Sequence, residues 1–508
     1  MAEIRLSSNM KIKYNNTKQK ISTKLYIYFM VLIYPLIFHN FYFDIVTVKY
    51  IAFLVATGLL IICDLLLEGE NEEKLSIISY LKRLSITDWL VTAFVIINII
   101  STLISENPIY AINGADGRNV GLITMLLLGS IYFIISRTYE HDERFVVLVT
   151  VGSLIVGILG IINSFNIDFI GFYDELEYFQ KVNYVSTLGH IDVYTNYFAI
   201  SLPIILWAYL NADSMKKMIF YFISLIINMT GVMAGHCNSA YIILGIGFVS
   251  VLVFSKWNLR KLILPIYLWI LLGKILITIN DNLKEPREVT GIGRNLFSDK
   301  SVMAATIIFA LVVIFYNFKK TEIKEKFVNF IKMAGIFIII LPIIYMLGIL
   351  LFTYVFKDIP LGNLEDVLRI TDESGSYRGY IWRVVISEFG ELDLPHKLFG
   401  IGTDSLRPYL VKRYGEEMYN VTNAYYDNAH NELLQYLITI GILGLVSYIG
   451  IIICSIRNSL RNNSNIMFAP VLITYFVQSL VNINQVVTLP ILFIIIALCN
   501  TKLESGYR

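Results

Sequence analysis

Charge is what this chain has least of. Asp, Glu, Lys and Arg make up 16% of its 508 residues, where a soluble domain carries about 25%, and that scarcity excludes an ordinary soluble enzyme. Cysteine is also sparse: Cys63, Cys237, Cys454 and Cys499 lie far apart, so neither a disulfide framework nor a C-x-x-C zinc site is expected. There is no G-x-x-x-x-G-K-[ST] loop, no H-E-x-x-H helix and no glycine-rich dinucleotide fingerprint, which removes the chemistries those motifs serve. An Asp-x-Asp pair is missing too, arguing against a nucleotide-sugar donor held through a metal. No basic groove for nucleic acid is visible, and a net charge of +2 says little about partners, because the distribution of charge matters more than its sum.

What is abundant is apolar side chain, at 56% of the residues and a mean hydropathy of +0.65. Runs of roughly 17–22 such residues recur, the length that crosses a hydrocarbon layer about 30 Å thick. The expected fold is an all-α polytopic membrane protein of about 14 transmembrane helices. They begin near Leu25, Val46, Asp88, Gly121, Phe145, Asp192, Met218, Asn238, Leu262, Ser301, Met333, Glu432, Ile466 and Thr488. A polar, basic start followed by a full-length apolar run reads as a retained first span and not as a cleaved signal.

The short loops "LKRLS" (81–85), "MKKM" (215–218), "KWNLRK" (256–261) and "KKTEIKEK" (319–326) are basic. The positive-inside rule therefore places them, and both termini, in the cytoplasm. The expected organisation is a basic cytoplasmic segment over 1–24, eleven spans over 25–355, three spans over 432–500 and a cytoplasmic tail over 501–508. Between the eleventh and twelfth spans one large extracytoplasmic loop, 356–431, stands out by its charge, Tyr and Gly. Smaller polar segments at 105–120, 164–191 and 281–300 share that side.

The candidate chemistry lies in those external segments. In "DNAHNELLQYLITIGILG" (Asp427–Gly444) a helix starting near Asn431 puts His430 at its N-terminal end, where the dipole favours a neutral imidazole and an anionic ligand. A neutral imidazole can serve as a general base near pH 7. On a continuous helix Gly441 lies almost three turns below His430 on the same face, and Gly444 close to that stripe, so both read as close-packing positions for a neighbouring helix. Taken alone, the stretch favours an interfacial histidine above ordinary glycine packing.

In "SGSYRGYIW" (Ser374–Trp382), Arg378 and Trp382 are spaced to share a helix face, and the guanidinium suits phosphate oxygens. A solvated arginine paired with Asp372 or Glu373 is the plainer reading. "LFGIGTDS" (Leu398–Ser405) reads as a turn gathering backbone N–H groups. Arg118 is the one basic residue of the loop "SENPIYAINGADGRNVGL" (105–122), and His190, Asp192 and Asn196 stand at the mouth of the sixth span. His236 and Asn238 occupy a tight external turn. His190 and His236 each fit a structural or interfacial role better than a catalytic one.

Together these strings resemble the O-antigen ligase / O-antigen polymerase superfamily of membrane glycan transferases. His430-Asn431, nine residues, then Gly441-Ile442-Leu443-Gly444 follows its H-[NSQ]-x9-G-x-x-[GTY] pattern. "SGSYRGYIW", "LFGIGTDS" and "DNAHNELL" come in the family's order, and "NGADGRNVGL", "TLGHIDVYTNYFAISLP" and "CNSAYIILG" look like its upstream pieces. The resemblance covers most of the chain beyond residue 100 and is strongest over 374–446.

It implies a bacterial cytoplasmic-membrane enzyme that takes a glycan from an undecaprenyl-diphosphate carrier on the outer face. The acceptor is a hydroxyl on a glycan, lipid or protein. No nucleotide, cofactor or metal is required, because the leaving group is already a lipid diphosphate. Carried over by position, His430 is the expected acid–base or acceptor-orienting residue and Arg378 the expected diphosphate clamp. Arg118, Asn431, Asn238, His190 and Asp427 are expected to contribute to binding.

Asn238 stands where the family often has an arginine, so a second phosphate ligand has to come from elsewhere, from Arg118, His236, Arg383 or Arg407. The alternative class is a lipid-linked oligosaccharide flippase. Such a transporter would be built of related halves, with cations inside its spans, and only Lys49 and Lys274 lie in apolar runs here.

Overall fold

The computed structural model describes residues 20–68, 83–173, 175–255, 259–318 and 325–501. Most of the basic N-terminal segment (1–19), parts of the basic loops (81–82, 256–258 and 319–324) and the tail from 502 lie outside the described residues.

A helical stretch over 20–36 is followed by α1 (Ile45–Glu68), α2 (Ile86–Ile104), α3 (Leu122–Thr138) and α4 (Glu143–Ser164). Next come α5 (Ile191–Leu210), α6 (Met215–Ala234), α7 (Asn238–Phe254), α8 (Leu259–Asp281), α9 (Asp299–Phe318) and α10 (Glu325–Leu350). The large polar segment carries α11 (Ser374–Glu391), α12 (Leu394–Phe399) and α13 (Leu406–Thr422), and the chain closes with α14 (Glu432–Arg461), α15 (Phe468–Ser479) and α16 (Leu489–Cys499). A helix begins within three residues of twelve of the fourteen expected positions; the one expected near Met333 starts eight residues earlier, at Glu325, and the one expected near Leu25 is already helical at residue 20. Among the described residues eight helices are long and apolar enough to cross a membrane, and α3, α7, α15 and α16 are shorter apolar helices. The chain is a multi-pass membrane protein. The all-α expectation needs one amendment, an antiparallel hairpin of β1 (Tyr184–Val185) and β2 (Gly189–His190), with Tyr184 opposite His190.

Burial grades the helices by position. α5 is buried almost along its whole length, so it is the central post of the bundle. By contrast, α1 and α10 present much of their apolar surface outward, as lipid-facing helices do. The two lysines inside spans are engaged locally: the Lys49 ammonium donates to the Ile37 carbonyl, and Lys274 pairs with Asp299 at 2.8 Å.

The large polar segment folds over its own apolar cluster. Tyr380, Ile381, Val384 and Val385 of α11 pack with Leu406 and Leu410 of α13, with Ala429, and with Leu434 and Ile438 of α14. This second core ties the segment to the head of α14 and so fixes where Arg378 can sit relative to His430.

The helix α14 is not continuous, which corrects the three-turn alignment of His430 with Gly441. Gly441 has φ +71° and ψ −177°, a region open essentially to glycine alone. The break leaves the carbonyls of Ile438 and Thr439 without helical partners, and in an apolar setting such groups must find donors elsewhere. The "LFGIGTDS" segment supplies them: Ile401 N–H donates to Ile438 (3.0 Å) and Gly402 N–H to Thr439 (3.1 Å). The Ser101 hydroxyl adds a further bond to Thr439 at 2.6 Å. The backbone N–H groups of the glycine turn are therefore spent on a broken helix. Gly441 does pack closely: a Cβ there would run into the carbonyl of Leu398 in α12. At Gly444 a Cβ would meet Ile440 across the break.

Gly441→Ala should lower the thermal midpoint of the purified protein clearly. The conformation alone costs about 1–3 kcal/mol, before the clash with Leu398. An unchanged midpoint in detergent would show that the break relaxes freely.

Candidate active site

His430 is placed by a local device. Asn431 caps α14, its side-chain oxygen accepting from the N–H groups of Leu433 (3.0 Å) and Leu434 (3.1 Å). His430 therefore sits one residue before the cap, with φ +48°. Its own N–H donates to the Asn428 side chain at 2.8 Å, and the Ala429 N–H donates to Gln435 at 3.0 Å. Asn431 is thus a helix cap, buried to 1% exposure, rather than a residue reaching outward. Asp427 is half-buried and accepts from the Asn428 amide.

Arg378 is positioned with equal care. Gly375, Ser376 and Tyr377 are all left-handed, at φ 63°, 57° and 63°. For the two that are not glycine this costs roughly 1–2 kcal/mol each. Tyr426 holds the turn by donating to the Ser376 carbonyl at 2.8 Å. At Gly379 no side chain fits, since a Cβ would stand 2.0 Å from the Thr371 carbonyl. One turn on, the Trp382 indole N–H donates to the Ala429 carbonyl at 2.7 Å, locking the Arg378 helix to the His430 segment. His430, and Ser376 and Tyr377 just before Arg378, are among the ten non-glycine residues with positive φ in the described chain, and the side chains of His430 and Arg378 approach one carboxylate.

That group belongs to Asp192, at the N-terminus of α5. Its carboxylate is 5% exposed and lies 3.8 Å from His430 Nδ1, 3.8 Å from Arg378 Nη2 and 3.7 Å from His190 Nδ1. Cys237 Sγ stands 3.8 Å from its other oxygen. These nitrogen separations exceed a direct hydrogen bond, so the groups converge on Asp192 without closing on it. His430 Nδ1 is buried with no hydrogen-bond partner. Burial, with the Arg378 charge beside it, pushes the His430 imidazole down to about 4, so it is neutral at physiological pH. His190 caps α5, with its Nδ1 accepting from the Asp192 N–H at 3.2 Å, and this fixes the carboxylate at the helix mouth.

Arg378, His430 and His190 come together here, and the turn holding Asn238 joins them through Cys237; Asn238 itself is exposed. Arg118 does not belong to the group. Its guanidinium is 2% exposed and ion-paired with Asp404 at 2.9 Å, and Asn484 lies at 3.4 Å. Arg383 is likewise taken, by Asp372 and Glu417. The hub that sequence reasoning left off its list is Asp192. It had been noticed beside His190, but nothing local marks it as the residue on which two distant segments converge.

The arrangement can hold an anionic group at Arg378 beside a neutral base backed by a carboxylate. No curated protein matches the chain. Residues 296–449, which include Arg378, Asp427, His430, Asn431, Gly441 and Gly444 but not Asp192, match the family described as O-antigen ligase, and this match supports membership of the chain in the O-antigen ligase/polymerase family.

Proposed function

We propose that the chain transfers a glycan from an undecaprenyl-diphosphate carrier to an acceptor hydroxyl, with its site on the outer face of the bacterial cytoplasmic membrane. The observation that carries this reading is the convergence of Arg378 and His430 on Asp192. Arg378 binds the diphosphate and offsets the charge that grows on the leaving oxygen as the anomeric C–O bond breaks. His430 takes the acceptor's proton as the new C–O bond forms. Asp192 then faces an imidazolium and stabilises it, the part a carboxylate plays behind a catalytic histidine. The departing lipid diphosphate is already a good leaving group, so exhaustive chelation should leave the transfer rate unchanged; restoration by Mg²⁺ or Mn²⁺ after chelation would contradict this.

The test is transfer by the purified protein from an undecaprenyl-diphosphate-linked glycan. Arg378→Ala should lower the rate about 10²-fold or more, with Arg378→Lys in between because a point charge replaces the planar fork. Transfer at the wild-type rate in Arg378→Ala would remove the arginine from the mechanism.

A further inference from the structure

Beside the Asp192 cluster lies a cavity of about 680 Å³, lined by Ile191, Gly235, His236 and Arg287 among others. Ile191 adjoins Asp192 in the chain, and His236 adjoins Cys237, whose sulfur faces the Asp192 carboxylate. The cavity and the cluster therefore share a wall.

Arg287 is 4% exposed, and its partners are neutral. Its Nη2 donates to the Tyr173 hydroxyl at 3.0 Å, its Nε to the Asn166 side chain at 3.3 Å, and the guanidinium lies 5.4 Å from the Tyr173 ring centroid. Nη1 has no hydrogen-bond partner, and no carboxylate ion-pairs with Arg287 among the described residues. His236 Nε2 is likewise buried and unpartnered, and burial together with the Arg287 charge pushes that imidazole down to about 4. At the rim, Arg294 is satisfied by both oxygens of Asp281 at 3.1 Å, and Glu288 is exposed. The Arg287 guanidinium thus has no direct ion-pair partner among the described residues, and an incoming anion would supply one.

We propose that this cavity is an anion subsite, in which Arg287 and His236, both lining it, turn their unpartnered Nη1 and Nε2 from the wall onto a phosphate or carboxylate group of the glycan substrate. The ligand assignment rests on the transferase reading; the cavity and its unmatched cation do not. Two sources share this chemistry, the carrier's diphosphate and an acidic substituent on the glycan itself. Guanidinium–oxyanion hydrogen bonds are the strong ones, so loss of the fork should be visible in binding.

The experiment titrates the purified full chain in detergent with inorganic pyrophosphate and, separately, with glucuronate, following affinity and thermal midpoint, and measures glycan transfer on the same preparations. Wild type should bind at least one probe and gain thermal stability from it. Arg287→Gln should weaken that probe about 10-fold or more, with Arg287→Lys intermediate and His236→Asn weakened while tolerating the left-handed backbone. Weakening for pyrophosphate assigns the diphosphate as the source, weakening for glucuronate an acidic sugar, and weakening for both a general oxyanion site. If Arg287→Gln does not fold, Arg287→Lys and His236→Asn carry the comparison. A purely structural Arg287 predicts a lower midpoint with undiminished probe binding, and that result overturns the inference. So does the absence of binding by wild type. Transfer that persists in wild type while either of those results is found sinks the subsite and leaves the proposed function standing, whereas absent transfer with intact probe binding does the reverse.

Discussion

Replacing His430 by alanine should lower glycan transfer by about 10²–10⁴-fold, the range expected when a positioned acid–base group is lost, while leaving the thermal midpoint near wild type. The two readouts separate because the local structure does not depend on the imidazole. Asn431 caps α14, and the His430 backbone N–H, not its ring, holds the turn to Asn428. His430→Asn is a sharper variant, since asparagine tolerates the left-handed backbone and cannot accept a proton at neutral pH. Transfer at wild-type rates in either variant would remove the base.

The pH profile gives an independent check. With its imidazole pushed down to about 4 by burial and by Arg378, His430 stays neutral far below the ordinary histidine range. The acid limb of kcat/KM for the free enzyme should therefore fall near pH 4–5 instead of near 6.5. Stability follows with a definite sign. Below pH 6.5 the unfolded imidazole takes up a proton that the folded one refuses until about 4. The unfolded state then binds more protons, so this contribution is full above about pH 6.5 and is lost as pH falls towards 4. An acid limb centred near 6.5 would show that the imidazole is not desolvated as the structure has it.

The parts of this site that could be read from sequence are the local ones. Apolar runs locate the helices because a hydrocarbon layer imposes a length on each. The His430-Asn431 pair announces a helix start through cap chemistry. Asp192 could not be found this way. Its importance comes from segments near 190, 378 and 430 meeting at one carboxylate, and no spacing within any of them encodes that meeting. Gly441 misled for a related reason. An apolar run of helical period gives no sign of a break whose carbonyls are satisfied by Ile401, Gly402 and Ser101. Arg118 looked like a free cation in a polar loop because its partner, Asp404, sits in a segment nearly three hundred residues away.

That pair yields the largest expected effect on stability. Arg118 and Asp404 are each 2% exposed and 2.9 Å apart, and Asp404 also accepts from the Ala115 N–H at 2.8 Å. The pair thus fastens the 113–121 loop to the segment that mends the break in α14. Asp404→Asn keeps an acceptor for Ala115 but strands a buried guanidinium, and removing one partner of such a pair costs about 3–5 kcal/mol. Adding Arg118→Met should restore most of the loss, because an apolar replacement of a whole buried pair is often close to neutral. The expected order of thermal midpoints is wild type, then the double variant, then Asp404→Asn well below. The same proteins decide what Arg118 is for. If it served the diphosphate directly, the double variant would regain its midpoint and still fail to transfer. Since Asp404 pairs with Nη2 of a guanidinium that is 2% exposed, transfer should return together with the fold, and a refolded but inactive double variant would move Arg118 back into the binding site.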